Sequence, residues 1–280
     1  MKRANWTILA MFLIVIGFTT IDEVHADPMA KPGINDSEWR VDVSPYVFFP
    51  ISVDGDSTVA GQIVSMDLDG SDILDMLDFA LAGRFEAWKG DFGLILDGNY
   101  VNLGAEGTVE TPGLLPLNEG VDIDIRQFYL DALGSYRVIN EPYNADGDMW
   151  SLDLMAGIRY NYLEQEIDVA VGGGPGSGGA TTLGGDTTWV DPMVGARVVM
   201  ALNERWTAEV RGDIGGFGVS DADLQWSVTG VFDYRPWETT SLKFGWRAYS
   251  IDMSTTLSDG TFAYDFIEHG PYVAVTFSFQ

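Results

Sequence analysis

The 280-residue sequence contains no cysteine and only two histidines, His25 and His269. The first absence excludes disulfide staples, thiol nucleophiles and thiolate metal sites; the second leaves almost no imidazole chemistry. Basic residues are scarce, with 15 Lys and Arg against 42 Asp and Glu for a net charge of -27. A chain this acidic offers no basic face to a phosphate backbone, which excludes nucleic acid as a partner. Long apolar runs are also missing: after the first twenty residues no window approaches the roughly 18 consecutive apolar residues of a membrane-spanning helix. What the chain does have is 46% apolar residues, 12% aromatics and 33 glycines, too much apolar surface for disorder.

The first segment reads as an export leader. Lys2 and Arg3 precede an uncharged stretch that is strongly apolar from Ile8 to Phe18, and Val24-His25-Ala26 follows before Asp27-Pro28. A charged start, a short apolar core and a small-x-Ala site predict a signal peptide over 1–26, cut after Ala26. Cleavage removes two bases and two acids and leaves the net charge at -27. Residues 27–38 read as a flexible lead-in, and 39–280 as the folded unit.

Across that unit the dominant signal is alternation. Val41, Val43, Pro45, Val47 and Phe49 oppose Asp42, Ser44 and Tyr46; Leu152, Leu154, Ile158 and Tyr160 oppose Asp153, Arg159 and Asn161; Leu242, Phe244 and Trp246 oppose Lys243 and Arg247. Such stretches fall near 39–50, 79–89, 91–105, 121–138, 148–164, 186–202, 204–218, 223–235, 237–252 and 262–279. Most reach the roughly 9–11 residues that a tilted strand needs to cross a bilayer. After the second strand, alternate connections are tight (89–91, 140–147, 202–204, 235–236), and those between are mostly longer (51–78, 106–120, the glycine-rich 165–185, 253–261, with 220–222 short). Short turns at one end and long loops at the other predict an all-β, transmembrane antiparallel up-and-down β-barrel of about ten strands, with eight or twelve also compatible.

Aromatic placement favours a membrane barrel over a soluble one with an apolar interior. Trp39, Trp88, Trp150, Trp206 and Trp237 lie at the short-turn end, and Trp189 and Trp226 near the long-loop end, as two interfacial girdles would. Trp88, Trp189 and Trp237 break the outward parity, which predicts bulges or shifted strand boundaries, and Pro192 and the region before Pro271 predict further bulges.

With the apolar face outward, the polar face lines the lumen. It carries nine acids (Asp42, Glu86, Asp97, Asp131, Asp153, Asp191, Glu209, Asp213, Asp233) and six bases (Arg84, Arg159, Arg197, Arg211, Lys243, Arg247). A barrel of this size has a backbone radius of only ~10 Å, so these side chains meet across the axis. They form either a paired ionic plug or a narrow, cation-favouring channel for small solutes. The segment 54–78 holds Asp54, Asp56, Asp67, Asp69, Asp72, Asp75 and Asp78 without a base. It predicts an acidic loop, with a possible hairpin over Val59–Leu68 and a helical turn over Asp72–Leu77 capped by Ser71; a fold into the lumen or a divalent-cation site is the sharper alternative.

Enzyme chemistry has little to work with. His269 is the one histidine beyond the leader, and barrel lipases and proteases both need one; the expectation is no enzyme, no catalytic residue, no metal and no cofactor. The competing classes are a lipid or peptide hydrolase of the outer membrane and a surface binding or adhesion barrel.

The blocks Ser44-Pro45-Tyr46, SDILDMLDFAL (71–81), FEAWKGDFGLILDGNYVNL (85–103), WVDPMVGAR (189–197), RGDIGGFGVSDADLQW (211–226) and His269-Gly270-Pro271 resemble a widespread, poorly characterised family of proteobacterial outer-membrane β-barrel proteins. The resemblance spans nearly all of 39–280. It implies a barrel in the Gram-negative outer membrane and carries no activity, ligand or catalytic residue with it. The partners expected on this reading are outer-membrane lipids, lipopolysaccharide and the barrel-assembly machinery, for a monomer with a structural or porin-like role.

Overall fold

A computed structural model describes residues 38–107, 121–171 and 179–279. The leader expected at 1–26 and nearly all of the lead-in 27–38 lie outside the described residues. The elements are β1 (Arg40–Phe48), β2 (Ser52–Val59), β3 (Gln62–Asp69), α1 (Gly70–Met76), β4 (Leu77–Lys89), β5 (Phe92–Gly107), β6 (Val121–Pro142), β7 (Met149–Val171), β8 (Gly179–Ala201), β9 (Trp206–Gly216), β10 (Ala222–Tyr234), β11 (Thr240–Leu257) and β12 (Gly260–Phe279). Ten of them, β1 and β4 through β12, pair in sequence order as an antiparallel sheet that closes through β1 on β12. β2 and β3 form a hairpin on the upper part of β12.

Apolar side chains on the outward face dictate the solvent of the lower barrel. Val43, Leu94, Leu130, Leu154, Val210, Val228, Phe244 and Val273 all stand exposed around the wall. Only a hydrocarbon surround makes a continuous belt of this kind favourable, so these strands cross a membrane. Aromatics edge the belt: Phe92 with Tyr136 and Trp206 with Tyr234 at the short-turn end, Phe79 with Tyr100 and Phe128 with Tyr160 at the other. Two of the expected girdle residues do not belong to it. Trp88 and Trp189 are buried inside, where their indole N–H groups donate to Glu86 (3.0 Å) and Asp191 (2.7 Å). Their inward parity needs no bulge. Register shifts fall instead at Leu77/Phe79, Arg137/Ile139 and Ala222/Leu224.

Both prolines expected at bulges sit in regular register, Pro192 opposite Ile158 and Pro271 opposite Trp246. Each stands where a neighbouring strand has ended. β9 pairs with β8 only from Met193 onward, and β12 passes from β1 to β2 beside Pro271, so the missing N–H is tolerated.

Above the belt the wall changes character. β5 has no β4 partner beyond Leu103, and β8 has no β9 partner before Met193. β10 leaves β11 at Met253, and β3 pairs only with β2. The upper wall is therefore two four-stranded sheets, β5-β6-β7-β8 and β11-β12-β2-β3, standing on the barrel as a head. They pack face to face: Ser57 Oγ of β2 donates to Gln165 Oε1 of β7 (2.7 Å), and Gly184 of β8 lies so close to Val59 that a Cβ there would sit 3.1 Å from it. Helix α1 packs against both β3 and β5 and bridges one seam between the sheets.

The acidic segment thus extends the wall and does not fold into the lumen. Its expected hairpin is present but begins earlier and is longer than Val59–Leu68: it runs from Ser52 to Asp69 and turns at Ala60-Gly61. Its helix begins two residues earlier than expected, so Asp69 and not Ser71 is the N-cap. Asp69 Oδ1 accepts from the Ser71 and Asp72 amides (2.7 and 3.1 Å), and Asp72 returns a bond to the Asp69 amide. The Ser71 hydroxyl, then the two amides, hold the Asp69 carboxyl below its ordinary pKa.

Candidate functional site

Inward positions of the membrane-crossing strands converge on the barrel axis in two tiers. The tier nearer the short turns joins Glu86, Asp153, Arg197, Glu209 and Lys243. Arg197 reaches Glu86 at 2.9 Å and Asp153 at 3.0 Å, and Lys243 reaches Glu209 at 2.9 Å. Arg137 completes it, 2.8 Å from Asp153 and stacked on the Trp88 ring. Arg84 spans the tiers, 3.7 Å from Glu209 and 2.8 Å from Asp97.

The next tier is a chain of alternating charge: Asp97–Arg211 (3.2 Å), Arg211–Asp131 (3.4 Å), Asp131–Arg159 (2.5 Å) and Arg159–Asp213 (3.2 Å). Tyr46 donates to Asp97 at 2.8 Å. Arg247 has no carboxylate within salt-bridge distance among the described residues; it bonds Ser227 Oγ at 3.2 Å and lies over the rings of Phe48, Tyr129 and Tyr249. These groups close on one another so tightly that the space they surround, lined by Arg84, Asp97, Asp131, Arg159, Arg211, Asp213 and Arg247, admits no water-sized sphere. Charges this deeply buried persist only when compensated: Arg84, Arg159, Arg197 and Arg211 are each shared between carboxylates, Arg137 between Asp153 and the Trp88 ring, and Arg247 between a hydroxyl and aromatic faces.

Asp191 lies outside both tiers. It is fully buried and, among the described residues, held by neutral donors: Asn161 (3.2 Å), Trp189, Ser220 of the β9–β10 turn and Gln225. Gln225 in turn accepts from Arg159 (3.1 Å), linking Asp191 to the arginine chain at one remove. Asp42 pairs with Arg40 at the short-turn end, and Asp233 lies opposite Lys243 on the neighbouring strand. Parity also places two residues inward that the lumen set above leaves out. Arg137 shares the face of Asp131 and Ser135, and Glu268 that of Phe266; both lie within the expected strands 121–138 and 262–279, and carrying the period-two count through those strands finds both. The lumen is not wholly polar either. Ile95, Leu133, Met155 and Met193 form an apolar patch on the β5–β8 side.

Above Asp191 the interior becomes apolar. Val53, Ile73, Ile125, Leu163, Trp189, Ile251, Met253, Phe262, Tyr264 and Phe266 form one buried cluster between the two sheets of the head. Two polar atoms in it lack partners, the Tyr249 hydroxyl and Gln165 Nε2, on residues 1% and 2% exposed. A buried orphan of this kind costs about 1–3 kcal/mol. The outward face here is acidic, with Asp54, Asp56, Asp67, Asp124, Glu164, Glu166, Asp252 and Asp265 against Arg126, which pairs with Glu164 at 2.8 Å. Among the described residues no three carboxylates or imidazoles converge to hold a metal ion.

His269 faces outward against the Trp246 ring, with centroids 5.8 Å apart. Its cross-strand neighbour is Ser52, but that hydroxyl donates to Asp54 (2.6 Å), and His269 Nδ1 has no partner. No proton relay from serine through histidine to an acid is assembled there.

No family model and no curated protein matches this chain. Solved structures similar to it include the outer membrane protease OmpT from Escherichia coli, at 12% identity over 89% of this chain and 99% of that one, with a TM-score of 0.47. The translocator domain of the autotransporter NalP from Neisseria meningitidis is 12% identical over 99% and 96%, with a TM-score of 0.40. The attachment invasion locus protein Ail of Yersinia pestis is 9% identical over 86% and 98%, with a TM-score of 0.30. Identities and scores this low carry no activity across to this chain.

Proposed function

We propose that this chain is a structural barrel of the Gram-negative outer membrane, monomeric and non-conducting, that holds a packed head outside the membrane. One observation carries the reading: the lumen is sealed in series, by the ionic tiers within the membrane and by the apolar cluster above. An ion crossing it would have to break several buried charge pairs and then enter a dry core. That argues against the narrow channel, although an excess of inward acids would favour cations if the lumen opened. The apolar belt supports lipid, including lipopolysaccharide, as its surroundings, and the leader expected at 1–26 supports export ahead of insertion by the barrel-assembly machinery. A catalytic role is not part of the proposal, because His269 lacks both a serine and an acid partner.

Planar-bilayer recording tests the reading directly. The full chain should show no unitary current steps in potassium chloride up to high voltage, and its folded form should migrate faster than the boiled form on a gel. Reproducible steps that change size in Arg159→Ala or Arg211→Ala would replace the structural role with the channel.

A further inference from the structure

The hairpin β2–β3 with α1 differs from every other part of the head in how it is held. β2 pairs with β12 over Ala263–His269, β3 pairs with β2 alone, and no strand ladder ties β3 to β5. Among the described residues, this seam is bridged by α1, a seven-residue helix that buries one side chain, Ile73. On the opposite side of the head, β8 before Met193 and β11 beyond Met253 likewise share no ladder. The two sheets can therefore part above the membrane without breaking a strand pair. The hairpin is joined to the barrel by a short break at 49–51, containing Pro50, and by the Gly70 start of α1, which packs on Phe49 and Ile51.

What the hairpin covers is chemically specific. Beneath it, Trp189, Phe262, Tyr264 and Phe266 make an aromatic-rich interior, and into this interior the sheets bring two hydrogen-bonding groups with nothing to bond. Tyr249 comes from β11 at the base of the head, below Met253, where it still pairs with β10 and its ring stacks on Tyr129; Gln165 comes from β7 on the wall facing the hairpin. Gln165 spends its oxygen on Ser57 of the hairpin itself, which leaves only its N–H donors unpaired. A purely structural core would fill these positions with apolar residues; two unpartnered buried donors fit a site whose acceptor is a ligand.

We propose that β2–β3 and α1 form a lid over a binding site in the head, and that the site takes a small apolar molecule with one hydrogen-bond acceptor, such as an aryl or alkyl ketone or ester. In the closed form the lid residues Val53, Met66, Leu68 and Ile73 occupy the place of the ligand's apolar body. On opening, the ligand replaces them, and its acceptor takes the Tyr249 hydroxyl or the Gln165 amide. The proposal is independent of whether the lumen conducts, so bilayer currents neither support nor remove it.

The test uses the full chain in phosphatidylcholine nanodiscs and fluorine NMR of 4′-(trifluoromethyl)acetophenone, with 4-ethylbenzotrifluoride as the analogue lacking the acceptor. The ketone should give a saturable bound signal absent from empty nanodiscs, and the hydrocarbon should bind at least tenfold more weakly. Tyr249→Phe should weaken the ketone about tenfold and leave the hydrocarbon unchanged. Because the chain has no cysteine, the Ser57→Cys/Gln165→Cys pair gives a lock free of competing thiols: with the Gln165 amide removed, the reduced protein should still bind the ketone saturably through Tyr249, more weakly than wild type, and the oxidised protein should not bind, while both keep heat-modifiable gel migration. Equal binding of the two probes overturns the acceptor assignment, unchanged binding by the oxidised lock overturns the lid, and no bound signal overturns the site.

Discussion

Below the upper aromatic band, strands β6, β7, β11 and β12 put Leu130, Leu154, Phe244 and Val273 outward and Asp131, Asp153, Lys243 and Tyr272 inward. Above it the same strands, without a change of register in β7, β11 or β12, put Glu166, Asp252 and Asp265 outward and Leu163, Ile251 and Phe266 inward. One continuous pleat is thus an inside-out protein in its lower part and an ordinary one in its upper part. The face of a strand that becomes the core is set by what surrounds it at that height, hydrocarbon below and water above. The crossover falls where Phe128, Tyr160 and Trp246 stand, so the height of the membrane is written into the strands twice, by the girdle and by the exchange of polarity.

The largest expected effect probes the lower region. Asp131→Ala leaves Arg159 and Arg211 short of a buried counter-charge and should destabilise the barrel by about 3–5 kcal/mol in urea titrations in detergent. Adding Arg159→Met should recover much of that loss; no recovery would mean the two do not act as a pair. In the upper region, Phe262→Ala should cost about 3 kcal/mol. Hydrogen exchange should then accelerate in the head while the slow amides of the membrane strands stay slow. Uniform acceleration would show that the two regions unfold as one.

The exchange of polarity gives a sharper contrast along a single strand. Val273→Arg, facing lipid, should cost about 2–4 kcal/mol, whereas Asp265→Leu, outward on the same strand but above the belt, should change stability by no more than about 0.5 kcal/mol. Comparable costs would move the membrane boundary. The smallest effect is electrostatic. Desolvation, with Asp265 and Asp223 nearby, raises the pKa of Asp252 in the folded head. Its charge therefore works against folding at neutral pH, and that penalty disappears as pH falls through the raised value. Asp252→Asn should slow exchange in upper β11 at pH 7 and match the wild type in acid. Asp69 has the opposite sign: its lowered pKa supports α1 above the ordinary aspartate range and is lost below it, so α1 should fray in acid.

Much of the barrel was legible because period-two alternation survives any error in strand ends. The ten segments, the closed antiparallel order and the sharp turn at 89–91 all follow from it. The head was not legible in the same way. Reading each strand with one fixed parity stops at the residue where Leu163 or Ile251 turns inward, because an apolar residue there looks like the end of a lumen face. Asking where the parity of hydrophobicity reverses would have found it. For the lumen, parity alone indicated which charges face inward, but partner choice depends on stagger around the barrel. Asp97 meets Arg211 from a wall four strands away, and Asp191 finds neutral donors. Spacing along one chain holds no trace of either.

β12 pairs with β11 over its length, with β1 at its lower end and with β2 at its upper end. It is therefore the seam on which both regions close, and it is the last strand described in the chain. Contacts between residues near 45 and near 275 join strands far apart in sequence, so the entropy of closing that loop is offset only once β12 is in place. During synthesis and transit, neither barrel nor head can be complete before that strand is available. A chain cut before Gly260 would lose both at once, leaving β1, β2 and β11 as open edges able to pair with other copies.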